Sequence, residues 1–587
     1  MWKRVRKNPG IFGWKDYFLG KIEKMDIKAH IEKVKNLVPG KMSAQEQAFV
    51  LSLLELVLQE LEEQKQLIQT LKDEINRLKG EQGKPRLKGK NQKEEPETSP
   101  APEDEDTATD KRDVSSEKER KNKKSERKKR QVKFDESRRI DERETVDVAQ
   151  KSDLPDDAEF KGYAISHYQT LEIKAKNIEL RRCIYYSATT GQTYTAPFPG
   201  NYQAGYDYTQ ELKGHIIMLK FEFGMSTPKI GDFLRANGVD ISNGTISNIL
   251  LGSGGAFKGE QEAIHQNGLE VGLYAQTDTT GARVNGENHH THVFGNDYYT
   301  AYFTTPHKDR QTVLDLLRAG QPRAYLLNER AFVIYQYLKI PIYIQSSLRA
   351  IRFETALLQE DFVALVQSVL SEEDFKRHGE KVLEGAYITA YQADNPLFIL
   401  VSDDAPQYKL VALFVFLCWV HIGRHFKKLN PKIKHHRQLL EGFLNDFWLF
   451  YERLKDYQQR PDPLVGRELS KTFDQLFSRT TGYEALDEQI KKTKAKKEQL
   501  LGVLKHPYVP LHNNASELAV RKEVRYRDVS FQTRNAKGTQ AKDVFFTIIQ
   551  TCKKLGVNAY AYILDRMTKK QNITRLDELI LQKADLA

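Results

Sequence analysis

The stretch Val271-Gly-Leu-Tyr-Ala-Gln-Thr-Asp278 reads as a β-strand that carries an acid, and its place at the head of a run of strand signals decides the fold. Asn285-Gly286 comes next, the strongest two-residue hairpin signal because both residues accept positive φ. Beyond it lie His290-Thr-His-Val-Phe294 and, after Gly295-Asn-Asp297, Tyr298-Tyr-Thr-Ala-Tyr-Phe303, so three antiparallel strands are expected. Lys308 to Leu317 then takes helical spacing. Leu397-Phe-Ile-Leu-Val-Ser402 is a continuous apolar run ending in Asp403-Asp404, the pattern of a strand buried on both faces with a carboxylate at its C-terminal mouth. Leu413-Phe-Val-Phe-Leu-Cys-Trp-Val420 gives a further buried strand. The expected class is α/β, and ligands bind at such strand ends in open α/β sheets.

Downstream, Asn513-Asn-Ala-Ser-Glu-Leu-Ala-Val-Arg521 supplies Asn caps and a helix carrying Glu517, with Arg521 one turn further along and Arg525 one turn beyond that. Three acids on two strands and a helix converge only if the strands are neighbours and the helix packs across them. Convergent carboxylates repel one another unless cations sit between them. Two magnesium ions meet that need and also stabilise the attacking and leaving oxygens of an in-line phosphoryl transfer. The nearby arginines would hold phosphates. Taken singly, each acid has a plainer reading: a strand-end Asp also serves as a helix cap, and Glu517 as an exposed helix residue. Adjacent strand residues point to opposite faces, so at most one of Asp403 and Asp404 should face the metals.

Working outward, Leu54, Val57, Leu61, Gln64, Ile68, Leu71, Ile75 and Leu78 form a heptad seam that starts near a Ser43-Ala-Gln-Glu46 capping box and stops at Gly80. Self-association is the functional reading; an antiparallel hairpin with the helical stretch Ile22 to Val38 is the alternative. From Glu81 to about Asp157 aromatic and branched residues almost vanish, so a disordered linker is expected. Within it Lys118 to Arg130 holds nine basic residues, either solvated or gripping phosphates without reading sequence. Short Tyr- and Thr-rich runs after Phe160 suggest a small β unit. Ser226 to Gly238 and Ser242 to Leu251 are two capped helices joined by Val239-Asp-Ile241, matching either a helix-turn-helix, with Ser242 and Thr245 toward DNA, or a plain helical hairpin.

Composition agrees with an anionic partner. Of 587 residues, 91 are Lys or Arg and 80 Asp or Glu, a net charge of +11 with a pI near 9.0. The 3 cysteines include no Cys-x-x-Cys pair, which excludes a disulfide framework and a four-cysteine zinc site and suits a reducing compartment. The most apolar run, Leu410 to Val420, is about half of the roughly 20 residues that span a bilayer, and no signal-peptide pattern follows Met1. Cys418-x-x-His421 is only half a zinc site, and His289, His290 and His292 read as strand-edge polar residues rather than ligands.

Four ordered segments, Thr277-Asp-Thr-Thr-Gly-Ala-Arg-Val-Asn-Gly286, Ser402-Asp-Asp-Ala-Pro-Gln-Tyr408, Cys418-Trp-Val-His421 and Leu511-His-Asn-Asn-Ala-Ser-Glu-Leu518, resemble the successive motifs of insertion-sequence-66-type bacterial transposases. The resemblance runs from Leu71-Lys-Asp-Glu-Ile-Asn-Arg-Leu-Lys-Gly80 to Gly556-Val-Asn-Ala-Tyr-Ala-Tyr562. It implies a ribonuclease-H-like catalytic core with helical insertions and an Asp-Asp-Glu triad of Asp278, Asp403 and Glu517, which hold two Mg²⁺ (or Mn²⁺) ions. Asp403, five residues before Tyr408, takes the second position, and Asp404 would cap the helix that Pro406 helps begin. His421 would approach the scissile phosphate, with Cys418 in the core. The implied partners are DNA, both terminal inverted repeats and target, and a second copy of the chain through the coiled coil, in the bacterial cytoplasm at the nucleoid, with no membrane.

The expected organisation is a helical extension at 1–42, coiled coil at 43–80, linker at 81–157, β unit at 158–208, helix-turn-helix-like DNA-binding region at 209–268, catalytic domain at 269–545 and helical tail at 546–587. Insertions fall at 320–395 and 425–505. The basic helix Glu484 to Leu504, with Lys491, Lys492, Lys494, Lys496 and Lys497, is either a DNA face or a solvated surface. Many relatives carry a cysteine-rich zinc-binding segment where this chain keeps only Cys183, which shifts end recognition to the helix-turn-helix-like region. Two other functions share these residues: a ribonuclease-H-like nuclease or recombinase without strand transfer, and a transposase-derived DNA-binding protein that no longer catalyses. Acids at all three positions count against the last.

Overall fold

The computed structural model describes residues 171–202, 208–394 and 397–586, with 140–146, most of 50–71, and Tyr163, Ile165 and Tyr168. The Ser43 capping box, the Ile22 to Val38 stretch, Ile75 and Leu78, and the basic run Lys118 to Arg130 lie outside the described residues. The chain divides into one unit of residues 1–70 and 176–587 and another of 71–175. In the second unit the described positions from 140 onward are neither helix nor strand.

In the larger unit, β1 (Ile184–Ser187) and β2 (Gln192–Thr195) form an exposed hairpin. The main sheet has five strands: β3 (Ala275–Val284), β4 (Glu287–Gly295), β5 (Thr300–Thr305), β8 (Ile399–Ser402) and β9 (Phe414–Leu417). Their spatial order is β5-β4-β3-β8-β9. The meander β3-β4-β5 is antiparallel, and Asn285 and Gly286 at its first turn have φ of 49° and 83°. Both values lie in the left-handed region that the Asn-Gly pair accepts, and such turns match the right-handed twist of the strands. β8 joins β3 in parallel, and β9 joins β8 in parallel. Parallel pairing requires long crossovers. The first is the segment between β5 and β8, which holds five helices and, unexpectedly for a stretch read as helical, a two-stranded sheet of β6 (Ala324–Leu327) and β7 (Phe353–Leu358).

The expected strand Leu413 to Val420 is shorter. It ends at Leu417, because Trp419 N–H leaves the ladder for Leu511 O at 3.0 Å and Ile422 N–H turns back to Cys418 O at 3.2 Å, starting the helix Trp419–Lys427. The single basic helix expected over Glu484 to Leu504 is broken into Glu484–Lys494, Lys497–Leu500 and a 3₁₀ turn Gly502–Leu504. The break lets the chain press onto edge strand β9. A Cβ on Gly502 would stand 2.2 Å from the Phe416 ring, an approach only glycine allows.

Three larger cores surround the sheet. One face packs Tyr302 and Val293 against helices Gln210–Phe221, Thr227–Ala236, Asn243–Ala256 and Ala536–Leu555. This single core crosses the boundaries expected at 268 and 545. The other face packs Phe294 and Leu400 against the first insertion. The third core packs the second insertion around Trp419, which precedes it. Helix is also present at the described positions of 50–71, where the seam residues Leu54 and Leu61 are half-buried and Val57, Leu67, Ile68 and Leu71 exposed. Glu55, off the seam, is buried and accepts from the backbone N–H groups of Lys432 and Ile433 and from His436 Nδ1 at 3.2 Å.

Candidate active site

The register of the sheet places the first two acids. Gln276 pairs with Val401 on the parallel neighbours β3 and β8. Asp278 lies two residues further along β3 and Asp403 immediately follows the end of β8, and the two carboxylates are close enough for Asp403 to raise Asp278. Asp404 does not cap a helix as expected: the 3₁₀ turn Pro406–Tyr408 has no side-chain cap, and Asp404 is instead held by Lys496 Nζ at 2.5 Å. Asp403 Oδ1 takes the local backbone bond, from Ala405 N at 3.1 Å.

The helix Asn514–Ser530 lies across β3 and β4 and brings Glu517 to the same place. Asn513, expected as a cap, makes no side-chain cap. Its side chain is fully buried, and Nδ2 donates to Thr277 O at 2.6 Å, fastening the start of the Glu517 helix to the residue before Asp278. Gln276 Nε2 reaches His512 O at 3.2 Å, and Arg527 donates to Gly281 O further along the same strand. Tyr302 hydroxyl donates to Ala519 O at 3.0 Å, and Lys542, itself buried, links Glu523 of this helix at 2.8 Å to the Thr291 and Thr304 hydroxyls of β4 and β5.

Burial, together with the nearby Asp403 and Glu517 carboxylates, pushes Asp278 up to about 6, against the pull of the Thr279 N–H at 2.8 Å and of Arg424. Arg424 donates from Nη2 to Glu517 Oε2 at 2.8 Å. The Arg424 guanidinium therefore serves Glu517 directly and also acts on Asp278. His421 stands in the same group: Nε2 accepts from Arg424 Nη1 at 3.3 Å, while Nδ1, 3.6 Å from Glu517 Oε1, has no hydrogen-bond partner. Burial holds it below the ordinary imidazole value despite the Glu517 carboxylate, so it is neutral near pH 7. Cys418 Sγ, His421 and Glu517 offer ligand atoms that all lie within 4.8 Å of one another.

Other expected residues stand apart. Lys491 and Lys492 are exposed on Glu484–Lys494, and Lys492 is paired with Glu488 at 2.7 Å. Lys494, Lys496 and Lys497 bond Ser478, Asp404 and Asp474, so most of the expected basic face is spent on local partners. Arg521 and Arg525 are exposed further along the Glu517 helix. Ser242 caps Asn243–Ala256, accepting from Thr245 N at 3.0 Å, with the two hydroxyls 2.9 Å apart, in the core-packed helical region rather than among the acids. His292 is no strand-edge residue: it is buried on the inner strand β4, with Nδ1 3.2 Å from Thr279 Oγ1. That hydroxyl also meets the Tyr408 hydroxyl at 2.6 Å, tying the strand of Asp278 to the turn after Asp403. Sequence reading missed Arg424, although its place three residues after His421 puts it on the same helical face. Asn513 and Thr279 gave no signal of their contacts, which are made across long sequence separations.

Residues 375–541 match the profile of the transposase IS66 family. The uncharacterized protein y4jO of Sinorhizobium fredii (strain NBRC 101917 / NGR234) is 33% identical over 321 residues, covering 54% of this chain and 99% of that protein. The chain belongs to the IS66 transposase family. The matched span of this IS66-family chain holds Asp403, Cys418, His421, Arg424 and Glu517, whereas Asp278 lies before it. Among the described residues no helix is long and apolar enough to cross a membrane.

Proposed function

We propose that this chain is a DNA transposase that binds the terminal inverted repeats of its element, cleaves to leave 3′-hydroxyl ends and joins those ends to target DNA. The observation that carries the reading is the placement of Asp278 and Asp403 together with Glu517 brought across them, three half-buried acids beside the Arg424 guanidinium. The antiparallel meander continued by two parallel strands, with acids at the central pair, supports a ribonuclease-H-like core.

The residues present fit two divalent cations, Mg²⁺ or Mn²⁺. Burial and acidic neighbours raise Asp278, which is how a carboxylate cluster short of cations behaves, and all three groups are hard oxygen donors. Asp278, Asp403 and Glu517 would hold the ions, which supply a polarised nucleophile and charge stabilisation for phosphoryl transfer. The chain's own part is positioning. Thr279 N–H and the Tyr408–Thr279 pair fix the strand beneath Asp278, and Asn513 fixes the Glu517 helix. Arg424, partly exposed, would pass from Glu517 to a DNA phosphate, and neutral His421 would approach the scissile phosphate. Ser242 and Thr245 at an exposed helix start, with Arg521 and Arg525 on the Glu517 helix, would contact DNA backbone. The heptad seam of the N-terminal helix would pair with a second copy of the chain.

Labelled element ends incubated with the protein in Mg²⁺ test the reading. Cleaved and joined products are expected from the wild type and neither from Asp278→Asn or Glu517→Gln. Cleavage without joined product would instead identify a nuclease, and wild-type activity in both variants would remove the triad.

A further inference from the structure

Cys418 and His421 looked like half a zinc site in sequence, and the fold supplies a third ligand 96 positions beyond His421. The three ligand atoms lie within 4.8 Å of one another, so a closing movement of about 1 Å by these side chains would bring them round one tetrahedral ion. Cys418 occupies the cap position of Trp419–Lys427 and His421 lies three residues on, so both side chains leave the same end of one helix. His421 Nδ1 is enclosed without a hydrogen-bond partner, facing Glu517 Oε1 at 3.6 Å. Burial pushes the Cys418 thiol up, against the backbone N–H groups of Asn513, at 3.2 Å, and of Val420 and His421 that point at the sulfur, so an ion bound here would have to displace the thiol proton.

We propose that Cys418, His421 and Glu517 form a three-ligand site for Zn²⁺, with one position open, separate in chemistry from the hard-oxygen pair of Asp278 and Asp403. Thiolate and imidazole select zinc over magnesium, whereas carboxylates alone do not. Arg424 competes for the site: it donates to Glu517 Oε2 and lies 3.3 Å from His421 Nε2. It must swing away for the ion to bind, and a DNA phosphate is the group that would draw it off. Zinc here would take Glu517 from the other two acids and so inhibit Mg²⁺-dependent cleavage; that consequence, unlike the binding, rests on the role proposed for Glu517.

Co²⁺ serves as a visible probe for the full chain, since thiolate ligation gives a near-ultraviolet charge-transfer band. One equivalent of cysteine-dependent Co²⁺, displaced by Zn²⁺, is expected. Cys418→Ser should abolish the band, and His421→Gln and Glu517→Gln should each weaken binding at least about tenfold, since even supporting residues around a metal site are worth 10–100-fold. Arg424→Gln should tighten binding, an effect that a purely structural Cys418 would not produce. Asp278→Asn should leave the band in place. No band in the wild type, or a band that survives Cys418→Ser, overturns the site whatever the cleavage assay gives. A band with Mg²⁺-dependent cleavage indifferent to Zn²⁺ supports the site and counts against Glu517 as a magnesium ligand.

Discussion

Asn513→Ala isolates the contact that seats the Glu517 helix. The Asn513 side chain is fully buried, its Nδ2 donates to Thr277 O at 2.6 Å, and its Oδ1 has no partner. Truncation strips Thr277 O of that donor in a place water does not reach, which costs about 1–3 kcal/mol. A small void adds to this. The whole loss should therefore be about 2–3 kcal/mol, read as a lowered urea midpoint at unchanged slope. The same bond spans the two elements that carry Asp278 and Glu517, and a misplacement of about 1 Å in such a site costs on the order of 100-fold in rate. Cleavage by folded Asn513→Ala should fall by about that factor. Asn513→Asp should be worse in both respects, since a carboxylate oxygen would face the carbonyl it replaces a donor for. An Asn513→Ala protein with wild-type midpoint and wild-type cleavage would refute the view that this amide positions the site.

Buried charge leads to three other outcomes. Lys542→Met leaves Glu523 and Asp543 in the core without their cation, so a loss of about 3–5 kcal/mol is expected in denaturant titration, and adding Glu523→Gln should restore part of it. Burial pushes His265 down to about 4 from the ordinary value near 6.5. The unfolded chain therefore binds the proton first, and stability should be full above pH 6.5 and decline as pH falls toward 4, by up to about 1.4 kcal/mol per pH unit from this group. His265→Gln should flatten that slope, and an unchanged slope would place the titration elsewhere. Glu55→Ala removes the carboxylate that accepts from Lys432, Ile433 and His436, and limited proteolysis should then cut near 50–71 faster than in the wild type.

Much of the sheet was legible because each strand carried a local signal: Asn285-Gly286 for the hairpin, and unbroken apolar runs for β8 and β9. The strand Leu413 to Val420 was over-extended because Trp419 and Val420 are apolar in either state, and periodicity cannot separate a buried strand from a buried helix start. The acids were legible as residue types at strand and helix ends. Their convergence was not, since it depends on the register Gln276 to Val401 and on Asn513 reaching Thr277, contacts between segments more than one hundred residues apart. The local partners of the basic segment were illegible for a related reason. Charge alone cannot tell a lysine aimed at DNA from one aimed at Asp404 or Asp474.

Single-turnover nicking of labelled element-end DNA in Mg²⁺, comparing Asp278→Asn, Asp403→Asn and Asp404→Asn with the wild type, bears most directly on the acid cluster. Loss of activity by about three orders of magnitude or more is expected for the first two, with Asp404→Asn within about tenfold of wild type, because Asp404 faces Lys496 rather than Asp278. Loss in Asp404→Asn with Asp403→Asn still active would contradict the assignment.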